Sequence, residues 1–234
     1  MCACPVYAAL FTGEVSTPRV ARSLTLLIIV LTIAGCDATY MAAMEKMGYA
    51  KRDILSDRVK SARDAQEDAK KEIQSTLEQF GKVVAYEGGD LEATYKKLNG
   101  ELEASEDSAK AVRKRIADVE SVADALFSEW ERELSQYSSA DLRRKSQAKL
   151  TQTKSRYKEM LGAMKRAEQR IEPVLKPLRD QVLYLKHNLN ARALSAIKGE
   201  LVKVDAQVDQ LVKDMNRSIA EADKFIQSME KESE

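Results

Sequence analysis

The chain has 234 residues, with 38 basic against 37 acidic side chains, and charged residues make up 32% of it. That charge density, beside 44% hydrophobic residues, excludes a disordered chain and a multi-span membrane protein, and nine Gly exclude a collagen-like repeat. Few Gly and Pro among abundant Ala, Leu, Glu, Lys and Gln is the usage of long helices.

Residues 1–35 read as an export signal. Arg19 and Arg22 precede an apolar run from Leu24 to Ala34, and Gly35 and Cys36 follow. A basic stretch, a short apolar stretch and small residues before a cut point are the parts of a secretory signal. The run is about half the ~20 residues that a spanning helix needs. Ile33-Ala34-Gly35-Cys36 resembles the lipobox of bacterial lipoproteins, in which the chain is cut before a cysteine that carries acyl chains. The resemblance implies lipid attachment at Cys36, and two or more acyl chains hold a protein at a membrane almost permanently. Asp37 resembles the signal that retains such proteins in the inner membrane, so the periplasmic face of that membrane is favoured over the outer one. An ordinary signal with a free Cys36 is the alternative. The mature chain loses Arg19, Arg22 and Glu14, so both charge classes fall to 36 and the net charge to zero. Its composition therefore selects no nucleic-acid partner. Cys36 is also its one cysteine, which leaves stability to packing.

Residues 36–234 form one all-α domain in this reading, an elongated antiparallel bundle or coiled coil of about four long helices. Their spans are roughly 40–86, 90–137, 140–187 and 190–232. The first seam runs Leu55, Val59, Ala62, Gln66, Ala69, Ile73, Thr76, Phe80 and Val83. The second runs Leu91, Tyr95, Leu98, Leu102, Ser105, Ala109, Val112, Ile116, Val119, Ala123, Leu126 and Trp130, alternating steps of four and three over five heptads. It then steps by four twice, to Trp130 and Leu134, which locally unwinds a supercoil. The third passes through Leu150, Tyr157, Met164, Ile171, Leu178 and Leu185. The fourth passes through Ile197, Leu201, Val204, Val208, Leu211, Met215, Ala222 and Met229.

The breaks carry their own chemistry. Gly88-Gly89-Asp90 offers backbone freedom and then an N-cap. Ser138-Ser139-Ala140-Asp141 fits a capping box with Asp at the third helical position. Lys186-His187-Asn188-Leu189-Asn190 ends a helix with cations and supplies the next cap at Asn190, although a continuous helix also fits. Pro173 and Pro177 open one face of the third segment, so a kink is expected there, as a bend or as a hinge. Short connections give an up-down-up-down order, with the Gly88–Gly89 and 187–190 turns at the end remote from Cys36.

No catalytic, metal or cofactor site is expected. His187 is the single histidine and has no second ligand or nucleophile near it in sequence. No phosphate loop or nucleophile elbow is present. Gly88, Gly89, His187, Asn188 and Asn190 are the candidate residues of a partner-binding tip. Arg143, Arg144, Lys145 and Lys149 begin a basic run that suits an anionic lipid surface. The competing reading folds Glu129, Glu131 and Glu133 against that run as interhelical ion pairs.

Residues 48–66 (GYAKRDILSDRVKSARDAQ) and 173–191 (PVLKPLRDQVLYLKHNLNA) resemble a bacterial family catalogued as a domain of unknown function. Its members resemble helical lipoproteins of Gram-negative envelopes. The label DNA-repair ATPase that some of them carry finds no nucleotide-binding loop here. The expected function is therefore a non-enzymatic, lipid-anchored scaffold that presents a rod to an unknown envelope protein. Alternatives are a lipid-binding or membrane-remodelling module and an activator of a cell-wall hydrolase. Homo-oligomerisation would serve any of them.

Overall fold

The apolar repeat resolves into helices whose seams face one another. The computed structural model describes residues 51–86, 88 and 90–231. Cys36, Asp37, Gly89, the signal segment and the expected helical residues 40–50 lie outside them. Among the described residues the elements are α1 (Lys51–Val84), α2 (Leu91–Glu133), a 3-10 turn (Leu134–Gln136), α3 (Ala140–Gln169), α4 (Ile171–His187) and α5 (Ala191–Lys231). The fold is all-α, a helical bundle. No described helix is long and apolar enough to cross a membrane.

Interhelical contacts give the order of the rods. Lys51 pairs with Glu129, and Thr76 bonds to the Glu101 carbonyl, so α1 and α2 run antiparallel. Lys154 meets Glu131 and Arg113 meets Glu168 (2.7 Å), which sets α3 antiparallel to α2. Arg179 of α4 reaches Glu106 (2.6 Å) further along the same α2. Arg63 pairs with Asp223 (2.9 Å), closing α5 against α1. The result is an up-down-up-down ring. The 3-10 turn, the start of α1 and the end of α5 share one end, the Ser139 end. At 1.5 Å per residue, the 43 residues of α2 span about 65 Å.

The core follows the seams closely. Every member of the first seam, from Leu55 to Val83, is buried. In α5 the buried set adds Ser218 and Phe225 to Met215, Ala222 and Met229, which completes an unbroken heptad run. In α2 the consecutive steps of four fall on Val119, Ala123 and Phe127, while Leu126 and Trp130 are only half-buried. The stutter thus lies seven residues earlier than expected. Phe127 takes the core place because its ring meets Tyr157 edge-on, with centroids 5.3 Å apart.

The third segment departs from expectation. It is two helices, not one kinked helix, interrupted at Arg170 (φ −85°, ψ −12°), whose N–H bonds to the Ala167 carbonyl at 3.2 Å. The break precedes Pro173 because that residue has no N–H to bond the Gln169 carbonyl and continue α3. Pro173 then sits third in α4, where first-turn N–H groups have no helical partner anyway. Pro177 lies inside α4 without ending it.

The seam has polar members, and they are paired. Gln66 is fully buried; its amide accepts from Ser218 Oγ (2.7 Å) and donates to the Met164 carbonyl (3.4 Å), so it touches α5 and α3 from α1. Thr76 gives its single proton to the Glu101 carbonyl, so Ser105 must donate to Thr76 Oγ1 (2.8 Å).

Candidate interaction surfaces at the two ends of the bundle

With the interior filled by its own side chains, the chemistry that can meet a partner lies on the surface. Three places stand out, and the cap residues position two of them.

At the Ser139 end, Ser139 rather than Ser138 caps α3, its Oγ accepting from the Leu142 N–H at 3.3 Å. Asp141 therefore falls at the second helical position, and the reciprocal capping box does not form. Its carboxylate instead takes Lys145 (2.9 Å) and Arg144 (3.2 Å), which hold it below the usual aspartate range. The expected ladder of Glu129, Glu131 and Glu133 against Arg143–Lys149 is also absent as drawn. Glu129 takes Lys51, and Glu131 takes Lys154 one helical turn beyond that run. Arg143 is exposed with no carboxylate in ion-pair range among the described residues, and Lys149 is half-buried. An open groove of about 670 Å³ lies here, lined by Leu134, Ala148, Gln147, Arg143, Arg144 and Glu131.

The opposite end carries the two remaining turns. Gly88 adopts φ +143°, a backbone state that favours glycine. Asp90 caps α2 by accepting from the Ala93 N–H at 3.0 Å. Asn190 caps α5 in the same way through Ala193 (3.0 Å), and Asn188 donates its amide to the Tyr184 carbonyl (3.0 Å). His187 is exposed at the α4 terminus. The topology brings both turns to one end. Asn188 and Asn190 use their side chains in turn geometry, and Gly88, His187 and Asn190 are exposed there.

The third place lies beside the fourth seam and was not anticipated. A groove of about 520 Å³ between α1 and α5 is lined by Leu77, Gly81, Leu201, Val202, Asp205 and Asp209. Val202 is 73% exposed. The sequence carries one signal for such sites, apolar residues falling between seam positions. Tyr137, Leu142, Leu183 and Tyr184, also exposed, share that property.

Among the described residues no cluster of His, Cys, Asp and Glu has the arrangement to hold a metal ion. No curated protein matches the chain. A family described as "Protein of unknown function (DUF2959)" matches residues 40–229, spanning both stretches that carried the sequence resemblance. The chain belongs to that family of proteins of unknown function.

Proposed function

We propose that this chain is a lipid-anchored, non-enzymatic structural protein of the periplasmic face of the cell envelope. Cys36 carries the acyl chains, Asp37 retains the protein in the inner membrane, and the bundle holds its Gly88–Asn190 end away from the bilayer for an envelope protein. The observation that carries this reading is how the apolar seams are used. Leu55, Val59, Val112, Met164 and Leu211 are all fully buried against one another's helices, and the polar seam members bond internally. A bundle filled in this way acts through its length and its exposed surface. The lipobox and the turn topology support the orientation.

Metabolic labelling with a palmitate analogue tests the anchor, which should label the wild-type chain and not Cys36→Ser. Photocrosslinkers at exposed His187 and at Asn190 test the presenting end. Both positions should capture the same envelope protein, and a crosslinker at Lys110, midway along α2, should not. Absence of label on the wild type removes the anchor, and equal capture from Lys110 removes the tip.

A further inference from the structure

We infer that the Ser139 end of the bundle is a second, non-covalent membrane contact, built to rest on an anionic lipid surface. Tyr137 is 40% and Leu142 52% exposed, two of the five large apolar side chains so exposed among the described residues, and both flank the cap of α3. Arg143, Arg144 and Lys145 follow at once. Residues 131–154 hold six cations against three carboxylates in a chain that is otherwise nearly neutral. Of those carboxylates, Glu131 is held by Lys154, and Asp141 is shared by Arg144 and Lys145. Glu133 stands beside Arg132, and both are exposed.

The chemistry is that of a bilayer interface. A tyrosine places an apolar ring under a polar hydroxyl, a leucine enters the acyl boundary, and guanidinium and ammonium groups meet lipid phosphates. The groove between the end of α2 and the start of α3, with Arg143 and Arg144 beside Leu134 and Ala148, offers a headgroup both charge and apolar contact. An acidic protein partner would also answer the charge. It would leave Tyr137 and Leu142 unexplained at the tip of a turn, where a flat surface reaches them most easily.

The inference shares with the scaffold reading the orientation of this end toward the membrane, since α1 begins here fifteen residues after Cys36. It does not depend on acylation. The test accordingly uses the chain from residue 37, which has no lipid attachment point and retains all five described helices, α1 to α5. Failure of the vesicle assay then leaves the palmitate result untouched.

Binding is measured by sedimentation with phosphatidylglycerol vesicles, with phosphatidylcholine vesicles alongside, at low and high salt. Trp130 is the only tryptophan, lies half-buried near this end and donates to Ser146 Oγ at 2.8 Å, so its emission reports the contact. The wild type should bind the anionic vesicles at low salt with a change in Trp130 emission, and should release as salt rises. Arg143→Gln/Arg144→Gln/Lys145→Gln should weaken binding by about a hundredfold. Lys186→Gln/Lys198→Gln/Lys203→Gln removes the same charge from exposed sites toward the other end, and should weaken it by no more than about threefold. Tyr137→Ser/Leu142→Ser should abolish whatever binding survives high salt. The substituted side chains are exposed, so unchanged helicity by circular dichroism is expected in each. Absence of wild-type binding to anionic vesicles at low salt overturns the inference, as does equal weakening by the two charge variants.

Discussion

Gln66 on α1 and Ser218 on α5 meet at 2.7 Å in a fully buried hydrogen bond, between two residues 152 positions apart in the chain. A polar pair among apolar layers satisfies itself only when the helices sit in one axial register, as a buried Asn does in a coiled coil. Gln66→Ala is expected to cost about 2 kcal/mol or more, since it leaves Ser218 Oγ unpaired and opens a cavity. Gln66→Leu/Ser218→Ala should recover most of that loss, because replacing both partners by apolar groups is nearly neutral. Urea unfolding followed by circular dichroism checks both, and a double variant as unstable as Gln66→Ala would refute the pairing argument.

Ser56 Oγ is the contrasting case, a buried hydroxyl without a hydrogen-bond partner among the described residues. Desolvating a polar group with no compensating bond is unfavourable. Ser56→Ala should therefore stabilise the bundle by about 1 kcal/mol, read as a raised urea midpoint at constant slope.

Glycines at two places should respond with opposite sign. Gly88 has open space around it, but at φ +143° an alanine is strained, so Gly88→Ala should cost about 1–2 kcal/mol. Gly100 lies inside α2, also with open space around it, and Gly100→Ala should add about 0.5–1 kcal/mol. Thermal denaturation of the two variants side by side separates backbone conformation from packing.

The prolines differ for the same kind of reason. Pro177→Ala restores an N–H in the interior of α4 and should stabilise by about 1 kcal/mol or more. Pro173→Ala, in the first turn, should change stability by less than about 0.5 kcal/mol on its own. Equal gains from both would mean that the break at Arg170 closes when Pro173 is removed.

Two groups set opposite pH limits. Burial, and then the nearby Glu120 and Asp124 carboxylates, push the Tyr157 phenol upward from its ordinary value of 10.0. The fold keeps that proton more tightly than the unfolded chain does, so stability is complete below pH 10 and declines as pH rises above it. Tyr157→Phe should flatten that alkaline decline, and one of the eight tyrosines should resist ionisation in an absorbance titration. The Arg179 hydrogen bond, with a further contribution from Arg113, holds Glu172 below its ordinary 4.5. Its contribution is present above pH 4.5 and lost as pH falls through the lowered value. Because Glu172 is half exposed and screened, the wild type should exceed Glu172→Gln by only a few tenths of a kcal/mol at pH 6. The difference should shrink as pH falls below 4.5 in urea titrations, and a difference that stays constant through that fall would exclude the ion pair as its cause.

The periodicity determined that the chain forms long helices and most of the residues that face inward, and the Gly and cap residues determined where three turns fall. A side chain every three or four residues must be buried whatever its neighbours are, so Leu55 through Val83 were legible without coordinates. Asp90 and Asn190 were legible as caps because an N-cap bond is local. Only the tertiary structure decided which seams meet, that Ser218 and Phe225 complete the last one, and that Phe127 displaces Leu126 from the core. It also decided where the long side chains find partners. Glu129 and Glu131 left the expected ladder for Lys51 and Lys154, since a flexible cation within reach across a helix interface competes on equal terms with one adjacent in sequence. The exposed Tyr137, Leu142 and Val202 escaped a reading built on repeats, because whether an apolar residue between seam positions is covered depends on what the next helix places over it.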